Sequence, residues 1–514
     1  MKQILLFTFL LCATFAFSQQ NPQSYDSKIP QHYFDYSLKL VKETAGFSPP
    51  VAARAFGYMG LTSYEAIVQG MDGYLSTKDR LFGFDHISAI DPQQDYNWPT
   101  VVNNALAMIV DSLFRTTTQI DKDSLHTIRD NYNASLAATL PANVYEASKS
   151  FGEQIAIDVL DYSRTDGAHN GFASNFPPNY IPPIGEALWI PFGNQACLQP
   201  FWGNNRPFIE ADSAVTTISP PHLEFSTTPG SGFFSAVDEV YATGLTLTPE
   251  ETNIALYWAD GGGSITPGGH SISMLNAILR GESANLEVAA LAYAKLGIAL
   301  SDAFLACWKT KYIYNLCRPV TYIQNHIDTS WLPLIGTPPF PEYPSGHSSQ
   351  SGAMATIMSD IFGGQYEFTD STHLLDFGGP RNFSSFTEAA EEAAVSRLLG
   401  GIHYTFSNDA GLTLGTIVGQ NVNALFEGLN VANEEIVNAS SAFVSPNPAS
   451  DNIIIHTEAD SHVTEYQITD LLGNMVMKGS FTNNINEVAI TSLLPGVYIV
   501  KLDTQEKGIR FVKT

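Results

Sequence analysis

The stretch "FPEYPSGHSSQSGAMATIMSDIF", residues 340–362, carries the change of texture that decides the fold around it. Pro341, Pro344 and two aromatic residues bring the chain to Ser345, Gly346 and His347. Small and apolar residues then recur at helical spacing, which predicts a helix over 348–362. A helix start presents unpaired N–H groups and the positive end of the helix dipole, a natural seat for an oxyanion. Ser345 adds a hydroxyl donor, and Gly346 adds an amide with no side chain in the way. His347 adds a group that gives or takes a proton near neutral pH.

The same spacing argument predicts helices over 50–72, 101–119, 121–142, 145–163, 285–310, 386–400 and 410–428, all rich in Ala and Leu. Pro50 stands at a plausible first-turn position. Residues 164–235 are rich in Pro, Gly and aromatics with little periodicity, and read as ordered loops covering something.

Two further stretches supply cations. In "WKTKYIYNLCRP" Lys311 and Arg318 are seven apart, two helical turns, so both side chains are expected on one face and directed at one anion. In "SRLLGGIHYTF" Arg397 ends a predicted helix and His403 follows six residues later, past a Gly-Gly break able to turn the imidazole inward. One point charge and two planar guanidinium groups balance a di- or trianion.

Composition narrows the partners. The 514 residues are 44% hydrophobic, enough for more than one core, and 25 Lys and Arg against 51 Asp and Glu give a formal charge of −26. Such a surface repels nucleic acid and anionic lipid, so neither is expected as a partner. "MKQILLFTFLLCATFAFSQQ" has one Lys, an apolar run of about a dozen residues and Ser18 before Gln19, the pattern of a signal peptide over 1–18. No later unbroken apolar run reaches the ~18 residues of a membrane span. With Cys12 in the leader, Cys197, Cys307 and Cys317 form no disulfide framework, and no CxxC suggests zinc.

From about Asn438 the texture changes. "NIIIHTE", "EYQITDLLGNMVMKGSF", "NEVAITSLLPGVYIVKLDT" and "GIRFVKT" alternate apolar and polar residues between Gly, Asn and Pro turns. The expected architecture is an all-α helical-bundle domain over 19–437, then a small all-β sandwich over 438–514. The tail's Pro-Asn-Pro opening, Leu-Leu-Gly turn, Pro-Gly-Val-Tyr strand and basic end resemble the C-terminal sorting domain of type IX secretion substrates. That resemblance implies a contact with the secretion machinery and a secreted or cell-surface protein; a sugar-binding or adhesive β module is the alternative.

Lys-x6-Arg-Pro, Pro-Ser-Gly-His and Ser-Arg-x5-His, in this order, resemble the three-part signature of vanadium-dependent haloperoxidases and type 2 phosphatidic acid phosphatases. "ARAFGYMGLTSYEA", "YWADGGGSITPGGH" and "FSSFTEAAEEAAVSRLLGGIH" extend the likeness to soluble bacterial members over most of 45–430. The resemblance implies vanadate as cofactor, with His403 as its axial ligand, or a phosphoryl group taken by His403 as nucleophile. Lys311, Arg318, Ser345, Gly346 and Arg397 would hold the oxygens, His347 would be the acid/base, and Lys311 would also polarise bound peroxide. One site suits both chemistries because vanadate shares shape and charge with the phosphoryl transition state.

Hydrogen peroxide, halide and a possible small organic acceptor are the implied reactants. Trp308 and Phe340 match aromatic positions of the family's halide pocket. The carboxylate usual four residues after the key histidine is Ser407 here, which counts against a phosphatase unless Asp409 substitutes. Asp260 is expected to orient Arg397, with a turn residue as the alternative, and His270 to be structural. The chain is therefore expected to be a haloperoxidase, with a secreted acid phosphatase and a non-catalytic phosphate- or vanadate-binding protein as the other readings.

Overall fold

Each of the eight periodic segments forms a helix. The computed structural model describes residues 20–193, 195–212, 219–374, 376–430, 443–445, 449–456, 465–470, 475–480, 485–493, 496–502 and 509–513. The expected signal peptide and the 437/438 boundary lie outside the described residues. In chain order the helices are α1 (Lys28–Glu43), α2 (Pro49–Glu65), α3 (Trp98–Leu113), α4 (Gln119–Ala137), α5 (Ala142–Ser163), α6 (Gly232–Thr246), α7 (Pro249–Tyr257), α8 (Thr266–Gly281), α9 (Leu286–Tyr314), α10 (Pro319–His326), α11 (Gly346–Phe362), α12 (Phe386–Leu399) and α13 (Thr405–Glu427).

Sequence periodicity did not yield α1, α6, α7, α8 and α10. Pro30 in α1 and Pro267-Gly268-Gly269 in α8 sit in first turns, where amides have no intrahelical partner to lose.

The core is organised on α9. This helix is long and apolar enough to cross a membrane, but most of it is buried inside the protein, which makes it a core helix here. It lies tightly against α2 because two glycines leave room: a Cβ on Gly60 would meet the Tyr293 carbonyl oxygen at 2.2 Å, and one on Gly297 the Phe56 oxygen at 2.4 Å. Helix α13 backs onto α11 in the same way: a Cβ on Gly415 would meet the Ser349 carbonyl oxygen at 2.1 Å. These two seams fix the elements that carry the candidate site.

Among the described residues 164–231 there is no α-helix, only short 3-10 turns at Gly171–Ala173, Trp202–Asn204 and Glu210–Asp212. This segment covers α9, as its composition predicts: the Leu198 carbonyl accepts from Tyr312 Oη at 2.6 Å and from Trp308 Nε1 at 3.3 Å. A small antiparallel hairpin, β1 (Phe368–Asp370) with β2 (Arg381–Phe383), links α11 to α12.

Chain contacts separate 431–514 from 1–430. Its described strands are β3 (Phe443–Ser445), β4 (Asn452–His456), β5 (Glu465–Asp470), β6 (Met475–Ser480), β7 (Ile485–Ala489), β8 (Gly496–Leu502) and β9 (Ile509–Lys513). They pair antiparallel in the orders β3-β4-β7 and β6-β5-β8-β9. Ile453, Ile455 and Val488 from the first sheet cluster with Ile468, Val500, Leu502 and Phe511 from the second, so alternate strand positions build one apolar core.

Candidate functional site

The α11 N-terminus forms as the sequence predicts. Ser345 is its N-cap, accepting from Ser348 N at 3.4 Å and Ser348 Oγ at 2.9 Å, which leaves its own hydroxyl proton to donate. Gly346 opens the helix, buried beside Trp308, Phe304 and the Lys311 side chain. His347 has a backbone bond at Ala259, and its Nε2 is buried with no partner among the described residues.

Lys311 and Arg318 converge on this point by a route other than the one expected. They do not share a helix. Helix α9 ends at Tyr314, the chain reverses through Asn315 in the left-handed region (φ 47°), and Arg318 is the N-cap of α10. What unites them is the segment before α11. Lys311 Nζ donates to the carbonyls of Pro341 (3.1 Å), Glu342 (2.8 Å) and Pro344, while Arg318 donates to those of Phe340 (3.0 and 3.1 Å), Pro341 (3.3 Å) and Ile402 (2.8 Å).

Arg397 comes from the last turn of α12 and donates from Nη1 to the Trp258 carbonyl at 2.7 Å; its Nε has no partner among the described residues. Gly401, with φ 77°, makes the turn that sends His403 inward. Arg318 Nη1 lies 3.2 Å from His403 Nε2. The other ring nitrogen, Nδ1, lies 2.8 Å from Glu342 Oε1, and a carboxylate there requires the proton on Nδ1 and leaves the Nε2 lone pair toward the cations.

The electrostatics follow from gathering buried cations. Burial, reinforced by Arg318, pushes Lys311 down to about 7. Burial pushes Arg318 down to about 10 and Arg397 to about 9, with Glu342 and Asp260 respectively opposing it. Burial and the surrounding cations hold His403 well below the usual histidine range, and burial with Arg397 does the same to His347. Both imidazoles are neutral at pH 7. Unfilled donors on Arg397, a neutral His403 lone pair and depressed cations are the features of a seat for a tetrahedral oxyanion.

Against this geometry the comparisons are specific. Residues 291–430 match the VCPO second helical-bundle domain. The crystal structure of the first bacterial vanadium-dependent iodoperoxidase is similar over 77% of this chain and 96% of its own, at 31% identity and a TM-score of 0.69. The chain belongs to the vanadium-dependent haloperoxidase family. Vanadium chloroperoxidase of Curvularia inaequalis is 24% identical over 75% of this chain and 80% of that protein. Vanadium-dependent bromoperoxidase of Ascophyllum nodosum is 35% identical over 16% of this chain and 17% of its own length. Residues 444–513 match the secretion system C-terminal sorting domain.

Within this haloperoxidase-family site three expectations change. Asp409 is exposed and does not replace the carboxylate missing at 407. Glu342, two residues before Pro344, replaces it: besides His403 it accepts from Tyr404 N at 3.0 Å and from Ser407 Oγ at 2.6 Å. The missing aspartate therefore no longer counts against a phosphatase. Trp308 is wholly in the core behind Phe340, which it meets at 4.8 Å between ring centres; Phe340 alone of the pair lines the open cavity. Asp260 makes no hydrogen bond or ion pair with Arg397 among the described residues and acts on it only through space.

Asp260 instead meets His270, whose Nδ1 is 2.9 Å from Asp260 Oδ2 and whose Nε2 is 2.7 Å from Asp370 Oδ2. Burial alone would push His270 down, but the two carboxylates outweigh it and lift it to about 10. His373 adds a ring nitrogen 3.5 Å from Asp260 Oδ1, so Asp260, His270 and His373 have the spacing of metal ligands. Both His270 nitrogens already face carboxylates, and ion pairing accounts for the group. Its ring stacks on Trp258 at 4.6 Å, the residue whose carbonyl holds Arg397. Cys197, Cys307 and Cys317 are free and buried.

Proposed function

We propose that this chain binds vanadate and oxidises halide with hydrogen peroxide to hypohalous acid. The observation that carries the reading is His403: its Nδ1 is tied to Glu342, and its Nε2 faces Arg318, with Lys311, Arg397 and His347 acting on the same ring. Bound vanadate would supply a Lewis acid that activates peroxide without changing oxidation state. His403 Nε2 would be its protein ligand, with Lys311, Arg318, Arg397, Ser345 and the Gly346 amide holding oxygens. In the free site Lys311 Nζ lies on three backbone carbonyls, so holding a vanadate oxygen requires it to be protonated and to release one of them. His347 Nε2, neutral and unpartnered, would take the proton that peroxide loses and return it to the departing oxygen.

A second reading keeps a specific observation in its favour. Glu342 gives His403 the orienting carboxylate that a phosphoryl-accepting histidine needs, which supports a secreted acid phosphatase. Paired assays separate them: iodide or bromide with peroxide and orthovanadate, against a chromogenic phosphate ester without vanadate. Halide oxidation that needs vanadate supports the first reading, ester hydrolysis inhibited by vanadate the second, and neither activity a binding protein. We further infer that 438–514 is a β-sandwich read by type IX secretion, after loss of a signal peptide over 1–18.

A further inference from the structure

Three consecutive residues, Trp258, Ala259 and Asp260, each hold a different buried side chain. The Trp258 carbonyl accepts from Arg397 Nη1 at 2.7 Å. The Ala259 backbone accepts from the His347 ring. The Asp260 carboxylate meets His270 Nδ1 at 2.9 Å. Arg397 and His347 therefore depend on adjacent residues of one turn. The turn's own backbone does little to fix it: α7 ends at Tyr257, Asp260 is left-handed (φ 41°), and Gly261, Gly262 and Gly263 follow with nothing within 4 Å of where a Cβ would stand. The hold comes from the side. The His270 ring, carried on α8, stacks on Trp258 at 4.6 Å and 18°, and its two nitrogens join Asp260 to Asp370 on β1, at 2.9 and 2.7 Å. Tyr257 Oη adds a bond to the Asp370 carbonyl at 3.1 Å, and Trp258 Nε1 one to Glu392 Oε1 at 2.9 Å.

We propose that His270, clamped by Asp370, is a positioning residue for the reaction: it holds the 258–260 turn so that Arg397 is aimed at the oxyanion and His347 is kept in one tautomer. The inference rests on the halide-oxidising reading above. His270 is 1% exposed and does not line the cavity in front of His347 and Arg397, so its effect passes through the turn. A neutral imidazole that donates to a backbone carbonyl from one nitrogen keeps the lone pair on the other, and that lone pair is what takes a proton. If the turn moves, the Ala259 carbonyl no longer selects the tautomer and the Trp258 carbonyl no longer fixes the guanidinium. One displacement then disturbs both groups, although neither touches His270.

Two variants of the full chain test this. His270→Gln has an amide able to reach one carboxylate but not both, and Asp370→Asn keeps the shape of the clamp and removes one charge, so that a folded protein is at hand if the first variant fails to fold. Nitrogen NMR of ¹⁵N-histidine-labelled protein at pH 7 should show His347 in a single tautomer in the parent and in a mixture in both variants. Orthovanadate affinity measured by calorimetry should weaken by about two- to tenfold, because Arg397 has to be immobilised on binding. The kcat for triiodide formation from iodide and peroxide should fall at least about tenfold, with KM for iodide changed by less than about twofold. A folded variant that keeps a single His347 tautomer and binds vanadate as the parent does overturns the proposal, since a His270 of purely structural value would lower stability alone. A parent that oxidises no halide would remove the functional reading instead, and the tautomer and affinity measurements would still decide whether the clamp acts on His347 and Arg397.

Discussion

Two buried histidines, His403 and His270, differ in charge. His403 has one carboxylate, Glu342, and is crowded by Arg318, Lys311 and Arg397, so it stays neutral and keeps a lone pair. His270 has two carboxylates, Asp260 and Asp370, and is an imidazolium to about pH 10. Burial disfavours charge on both; surrounding cations add to it at His403, while two carboxylates outweigh it at His270. The neutral ring suits a bond to an oxyanion's central atom. The charged one holds Asp260 ionised beside the cations.

The sharpest break of this contrast is His403→Ala, which leaves the oxyanion held by charge alone. Vanadate affinity measured by calorimetry should fall by at least about a thousandfold, with halide oxidation lost. His347→Ala should keep most of that affinity and lower turnover by about 10²- to 10⁴-fold, the usual range for an acid/base group. Equal loss of binding in the two variants would reverse the assigned roles.

On the other side, His270→Asn leaves two buried carboxylates without their cation and should cost about 3–5 kcal/mol at pH 6, read from urea unfolding. Because the folded-state value of His270 is raised, that stabilisation is complete below pH 6.5 and is lost as pH rises through about 10. The deficit of the variant should therefore shrink progressively from about pH 6.5 and level off above about pH 10. A constant deficit from pH 6 to 11 would mean that His270 is not charged.

A smaller effect tests the cation set. Lys311 lies at about 7 in the free site, and an anion favours its protonated form, so binding takes up a proton. Affinity for tungstate, whose charge is constant from pH 7 to 9, should weaken over that range by up to about tenfold per pH unit. Lys311→Met should flatten the dependence. The smallest effect concerns the tail: removing 438–514 should change vanadate affinity by less than twofold, while export is lost.

The sequence brought Lys311, Arg318, Ser345, Gly346, His347, Arg397 and His403 into view because each lies within a short motif whose spacing is local. The reason offered for Lys311 and Arg318 was nevertheless incorrect, since Asn315 breaks the helix between them. Glu342 lies inside the 340–362 stretch, but its partners, His403 and Ser407, are more than sixty residues away, so no local spacing reveals its role. Asp370 and His373 lie on or just after a three-residue strand with no periodic signal, and only the fold carries them to His270 and Asp260. Helices with strong Ala and Leu periodicity were legible; α8, opening on Pro-Gly-Gly, was legible only through its packing.

The most direct test of the two-histidine account is nitrogen NMR of the ¹⁵N-histidine-labelled full chain at pH 8, before and after orthovanadate. His270 should show two protonated nitrogens in both spectra. His403 should show a protonated Nδ1 and an unprotonated Nε2, with Nε2 alone of its pair moving strongly when vanadate binds. A His403 protonated on both nitrogens, or an Nε2 signal indifferent to bound vanadate, would contradict the account.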